Sequence, residues 1–253
     1  MNAWLSSLLI VLAYVHLAYL FSRFTKRNDF MDILWGPGFA LIAAFNYFVN
    51  FEAQNLDKLI FLILILAWAA RLAIHIYLKN GNKEEDFRYA KWRKEWGNTE
   101  WWRSYLQIYL LQGLFMYLIS LGIIAFLSSS TSEWNNFHFC LALPAVIGLI
   151  IESIADYQKF VFKKKYPKGL MKSGLWAYSR HPNYFGEAVF WWGIALLSSL
   201  AAPFYYGLFS AICITWLLRY VSGVPMLEKA KEGNLEYEAY KKSTPIFIPF
   251  LKA

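Results

Sequence analysis

Residues 59–78 read LIFLILILAWAARLAIHIYL, an apolar run interrupted only by Arg71 and His75. About 20 apolar residues in one helix cross the hydrocarbon of a bilayer, whereas a helix on the surface of a soluble protein carries a polar face that recurs every 3.6 residues. No such face is present, so this stretch predicts a transmembrane helix. Comparable windows bounded by charges lie at 3–21, 32–49, 105–127, 137–157, 185–200 and 204–218. The last two are short and joined by Ala201-Ala202-Pro203, which predicts a tight hairpin. The expected fold is an all-α polytopic membrane bundle of about seven helices, one membrane domain over 1–253. At 58% hydrophobic and 20% aromatic content, the chain has more apolar side chains than a water-soluble core of its size can hide.

The charges follow the same division. Of the 25 basic residues, all but Lys58 and Arg71 fall in the first, third and fifth connections or in the C-terminal tail. Lys and Arg gather on the cytoplasmic side of spans, so the N-terminus is expected outside and the tail in the cytoplasm. The start Met1-Asn2-Ala3-Trp4 lacks the positive region of a cleavable signal, so the first window is expected to remain as an anchor. The net charge of +8 is distributed as topology requires, which removes the need for a nucleic-acid partner. Trp92, Trp96, Trp101 and Trp102 precede the fourth window and predict a short interfacial amphipathic helix. Cys140 and Cys213 fall in predicted spans and read as inert thiols. No metal is expected. The location implied is the inner membrane of a prokaryote or the endoplasmic reticulum of a eukaryote.

Ionisable groups inside spans are costly, so those present are candidates for function. Arg71 and His75 lie one turn apart on one helical face. Asp32 sits at the mouth of the second window beside Trp35-Gly36-Pro37-Gly38, a sequence expected to kink or loosen the helix. Asp32 either pairs with Arg71 or shares a polar ligand pocket with Arg71 and His75. Glu152, Asp156, Lys159 and Lys163 recur at steps of four, three and four, which places them on one helix face. They are either a run of ion pairs or the wall of a site for a ligand with sugar hydroxyls and phosphates. The stretch from Gly174 to Glu187 leads from a polar segment into a span, with Pro182 at the expected helix start. Backbone N–H groups there, with Arg180, suit a phosphate. Asn183 and Glu187 are one turn apart and can face one cavity, while Tyr178, Trp191 and Trp192 read as packing residues. The tail, with Pro225, Glu228, Tyr237, Tyr240 and the segment 244–250, predicts a short helix and an apolar end docked on the bundle. It is either an interfacial anchor or a cap over a cofactor site.

The Gly174 to Glu187 stretch, Trp191-Trp192-Gly193 and the closing Tyr240…Pro245…Ile248-Pro249-Phe250 resemble the steroid 5-alpha-reductase superfamily. The likeness is closest to its prokaryotic branch, through Asp32 to Gly36, Arg71-Leu72, Gly81 to Tyr89 and Glu152 to Gln158. Related Arg-His-Pro, Tyr and Glu patterns occur in sterol C14-reductases and in isoprenylcysteine carboxyl methyltransferases. The resemblance implies a seven-helix bundle in which NADPH enters from the cytoplasm and reduces the double bond of a lipophilic substrate. The residues it marks for the cofactor are Arg88, Glu152, Asp156, Lys163, Arg180, His181, Asn183, Tyr184, Glu187 and Tyr240. The third-span tyrosine of characterised steroid reductases falls on or near Trp68 here. Asp32, Arg71 and His75 are then the expected catalytic groups. The methyltransferase likeness implies S-adenosylmethionine as the alternative cofactor, and the Trp68 departure a non-catalytic sterol or lipid binding protein.

Overall fold

The computed structural model describes residues 2–50, 55–80, 84–129 and 136–251, with the backbone alone at 136–138. Among the described residues the regular structure is helical and no strand occurs. Helices α1 (Ala3–Thr25), α2 (Phe30–Val49) and α3 (Leu56–Asn80) come first. Then α4 (Phe87–Trp96), α5 (Glu100–Ser104), a π-helical turn at Tyr105–Leu110 and α6 (Leu111–Ile119) lead to α7 (Leu121–Leu127). The long α8 (Asn136–Lys165) is followed by α9 (Pro182–Ser198) and α10 (Phe204–Trp216). Two short helices, α11 (Val224–Lys229) and α12 (Leu235–Ser243), end the chain.

Five helical runs are long and apolar enough to cross a membrane: α1, α2, α3, Phe139–Lys165 and Phe204–Lys229. The run Phe87–Ile119 with α7 adds a sixth if its 46° bend is counted within one span. The sixth window of the sequence became α9, whose 17 residues fall short of that count. A multi-pass membrane protein is the result, with one bent helix pair and, as the sequence suggested, a short sixth helix. The expected amphipathic helix is α4 with α5. Trp92 and Trp96 stack there at 5.9 Å, and Trp101 is exposed.

The chain divides into two compact units, Met1–Trp134 with Ser198–Phe209, and Asn135–Leu197 with Ser210–Ala253. In the first, α2 packs most extensively on α3. A Cβ at Gly36 would lie 2.7 Å from the Ala69 carbonyl oxygen, so the two backbones touch. Helix α2 continues through Pro37, and the Tyr14 hydroxyl donates to the Leu34 carbonyl (2.7 Å) in the turn that proline weakens. Phe39, Phe61, Ile65, Trp68 and Phe126 are fully buried, with Phe39 edge-on to Trp68. Trp68 is therefore a core residue of this unit. Lys58 is also fully buried, and its ammonium donates to the Ser129 carbonyl at 2.6 Å, just beyond α7. A helix C-terminus leaves carbonyls without intrahelical donors, and a lysine satisfies them.

In the second unit, glycines set the architecture. A Cβ on Gly186 of α9 would meet the Glu152 amide nitrogen at 2.6 Å and the Gly148 carbonyl at 2.8 Å. One on Gly148 would strike the backbone of Phe190, and one on Gly193 that of Ala145. Positions climb along α9 as they descend along α8, so the pair is antiparallel and in backbone contact over two turns. Small residues permit such approach between helices in a membrane.

Candidate functional site

The α8–α9 crossing fixes what its side chains can do. At 100° per residue, Ala145, Gly148, Glu152 and Asp156 occupy the α8 face turned to α9, and Lys159 and Lys163 continue it. Gly186, Phe190 and Gly193 define the matching α9 face, with Asn183 one turn before Gly186. The register that sets Gly186 against Glu152 therefore puts Asn183 about level with Asp156. Glu152, Asp156 and Glu187 are all buried. Asn183 Oδ1 is buried with no hydrogen-bond partner among the described residues. Buried acidic side chains from α8 and α9, and the amide of Asn183, thus lie in this one unit.

Below this crossing the tail is strapped onto the loop before α9. The Arg180 amide donates to the Pro245 carbonyl (2.9 Å), and Ser179 Oγ donates to that of Phe247 (2.7 Å). The Tyr240 hydroxyl donates to the Trp176 carbonyl. Phe247 packs with Ala188 and Val224 in a small apolar cluster that includes Tyr184 and Phe185. This is the docked end that the prolines and Ile246-Phe247 predicted.

Glu228 of α11 organises the strap. Its carboxylate accepts from Arg180 at both oxygens, 3.1 Å each, and from the Tyr237 hydroxyl. It also lies 2.9 Å from His181 Nε2. Arg180 Nη1 donates to the carbonyls of Lys241 and Thr244, both at 3.1 Å. Arg180 was expected to offer its charge to a phosphate; Glu228 balances that charge and most of its donors are committed. His181 stacks on Tyr184 (5.8 Å, 8°), and its Nδ1 is buried without a partner among the described residues. Burial pushes the His181 pKa below its ordinary value and outweighs the opposing hydrogen bond to Glu228. The imidazole is therefore neutral, with the proton on Nε2 toward Glu228 and a bare lone pair on Nδ1.

A cavity of about 190 Å³ opens beside this strap. Lys159, Lys163, Lys168, Arg180 and Lys231 line it together with Trp176, Tyr237 and Tyr240, and Glu236 is its one acidic wall residue. Glu236 is paired with Lys172 at 2.6 Å. Lys163 donates to the carbonyls of Pro167 and Gly169, which holds the turn after α8 and aims the ammonium. Lys159 lies 4.3 Å over the Trp176 ring and Lys231 4.5 Å over the Tyr237 ring, so aromatic faces hold both cations. Burial lowers the Lys231 pKa; Glu228 opposes this, while Lys163 and Arg180 add to it. Burial raises the hydroxyls of Tyr237 and Tyr240, which stay protonated as donors. Several lysines crowded around one cavity favour an anion within it.

The remaining sequence candidates lie in the first unit. Asp32 takes its charge partner from Arg88 (2.8 Å) and accepts from the Tyr89 hydroxyl, so of the two alternatives the pairing with Arg71 is not the one formed. Arg88 also binds Asp86 at 2.9 Å, a contact fixed where Asp86 caps α4, and two carboxylates thus hold its guanidinium. Arg88, expected to contact a phosphate, is thus held by these two carboxylates. Arg71 and His75 are half-buried one turn apart on α3, as their spacing implied. Elsewhere in this unit Glu85, Arg93, Glu100, Arg23 and Asn28 form a polar network joining α1, α4 and α5. The Gly81 end of the Gly81 to Tyr89 stretch lies outside the described residues.

Sequence reasoning missed Glu228 as the hub, Tyr89 as the partner of Asp32, and Lys168 and Lys231 as cavity walls. For Glu228 and Lys231 the local signal was the charge-rich segment from Glu228 to Glu238, which reads equally well as a solvated helix.

Comparison with known proteins gives a family and no activity. Over 210 residues the chain is 25% identical to an uncharacterized protein of Schizosaccharomyces pombe, covering 72% of this chain and 60% of that one. The chain thus spans about three fifths of the relative's length. No solved structure gives a significant match. A family model described as a protein of unknown function, DUF1295, matches residues 18–244, nearly the whole chain and both units, so the protein belongs to the DUF1295 family.

Proposed function

We propose that the protein is an NADPH-dependent membrane reductase, which transfers a hydride to the double bond of a lipophilic substrate such as a steroid, polyisoprenoid or other lipid enone. The observation that carries the reading is the lysine-lined cavity at the end of the α8 face whose inner turns bear Glu152 and Asp156, level with Asn183. A dinucleotide phosphate has the matching order of parts: anionic phosphates, ribose hydroxyls and a neutral carboxamide. The cavity is smaller than the ~300–1,000 Å³ of whole small-molecule sites. It suits a phosphate with its ribose.

The chain's own residues divide the work. Lys159, Lys163, Lys168 and Lys231 supply positive charge for phosphate, while Trp176 and the protonated Tyr237 and Tyr240 give a flat wall with donors. Asp156 and Glu152 accept from ribose hydroxyls. Asn183 Oδ1 and His181 Nδ1, buried acceptors without partners among the described residues, suit N–H or O–H donors of the same ligand. Glu228 keeps His181 in the tautomer that leaves Nδ1 bare. When bound, NADPH supplies the hydride, and the protein supplies orientation and a dry apolar bundle. Likeness to the steroid 5-alpha-reductase superfamily in the 174–187 stretch supports the same reading. The basic wall favours it over S-adenosylmethionine, which has no phosphate.

The test is thermal stability in detergent with each cofactor, since a ligand that binds only the folded state raises the unfolding temperature. NADPH at millimolar concentration is expected to stabilise and S-adenosylmethionine to leave the midpoint unchanged. Stabilisation by S-adenosylmethionine alone, or by neither, overturns the proposal.

A further inference from the structure

The opposite face of α8 carries a second pattern. Leu143, Ile147, Ile150, Ile154, Tyr157 and Val161 are all exposed, at steps of four, three, four, three and four. At 100° per residue they form one narrow stripe, about half a turn away from Glu152, Asp156, Lys159 and Lys163. The stripe is roughly 27 Å long at 1.5 Å per residue, close to the thickness of a bilayer core. It ends in Lys164 and Lys165, which fall on its two edges one turn beyond Val161, and then in exposed Tyr166. Lys164 Nζ lies 4.5 Å over the Phe160 ring and Lys165 Nζ 5.4 Å over the Tyr166 ring. No Asp or Glu occurs in the sequence between Asp156 and Glu187. Neither lysine has a carboxylate partner among the described residues.

We propose that this end of α8 is a binding site for an anionic phospholipid, with the phosphate headgroup between Lys164 and Lys165 and an acyl chain along the stripe. An apolar track continuous with two unneutralised ammonium groups fits an amphiphile, and neither a free phosphate nor a nucleotide uses the track. A net negative headgroup is favoured because a zwitterion brings its own cation to the same lysines. The site lies on the far side of α8 from the lysine-lined cavity and does not depend on the reductase reading.

The experiment is native mass spectrometry and thermal unfolding of the detergent-solubilised full chain with added phosphatidylglycerol, phosphatidylcholine or inorganic phosphate. Phosphatidylglycerol is expected to be retained and to raise the midpoint, while phosphatidylcholine and phosphate do neither. The exposed pair Lys164→Gln with Lys165→Gln should weaken phosphatidylglycerol retention roughly thirtyfold, the loss expected of two lysines at an anionic lipid. The cavity pair Lys159→Gln with Lys163→Gln should keep it. Equal retention of the two lipids, a full effect of phosphate alone, or undiminished retention in the Lys164/Lys165 variant overturns the proposal.

Discussion

Arg180 and Glu228 form a two-point ion pair, Nε to Oε1 and Nη2 to Oε2, each at 3.1 Å, with side chains only 8% and 15% exposed. The pair joins the loop before α9 to α11, and the same carboxylate gathers His181 and Tyr237. Removing one partner of a nearly buried pair strands the other charge, which costs about 3–5 kcal/mol. Glu228→Ala should therefore lower stability on that scale, and Glu228→Gln by less, because the amide oxygen still accepts. A loss below about 1 kcal/mol, typical of an exposed pair, would show that the hub is not structural.

The α8–α9 contact makes a steric prediction. Gly186 has the Glu152 amide 2.6 Å from where a Cβ would stand, and both atoms are fixed by backbone. Gly186→Val should force the helices apart, destabilising by at least about 1–3 kcal/mol. It should also weaken NADPH binding, since Asn183 and Asp156 lose their common level. Wild-type stability in this variant would contradict the register described.

His181 gives an acid-side signature. Its folded pKa is depressed below the ordinary 6.5 by burial, so the unfolded chain takes up its proton first as pH falls. The stability it contributes is present above pH 6.5 and is lost as pH falls through the depressed value. The unfolding midpoint of the wild type should drop across that interval, and more steeply than that of His181→Gln. Parallel pH profiles would contradict a buried neutral imidazole.

Lys231 gives an alkaline signature in binding. Burial lowers its pKa below the ordinary 10.5, and a phosphate favours the charged form. NADPH affinity should fall as pH rises through the depressed value. Lys231→Met should bind more weakly and show no such fall, measured by equilibrium titration at alkaline pH.

The legible parts of the molecule were those set by local periodicity. The face of Glu152, Asp156, Lys159 and Lys163 follows from helical spacing alone, and the docked tail from its prolines and Ile246-Phe247. Pairings across long sequence separations were not legible. Asp32 and Arg88 lie 56 residues apart, and Arg71, in a neighbouring span, looked the nearer partner; the Asp86 cap that orients Arg88 emerges only once α4 has formed. Glu228 and Lys231 sit in a charge-rich tail whose pattern cannot reveal that Arg180 and Trp176 fold against it. The 46° bend at Ser120 had no proline to announce it.

The most direct measurement is the dissociation constant of NADPH for the purified wild type and for Lys159→Gln with Lys163→Gln. The account predicts saturable binding to the wild type, weakened at least about tenfold by the double substitution, the loss expected when charge-assisted hydrogen bonds to phosphate are removed. The Lys164→Gln with Lys165→Gln variant should bind as the wild type does. Absence of saturable binding, or equal affinity in the Lys159/Lys163 variant, would contradict the assignment of this cavity to a phosphorylated cofactor.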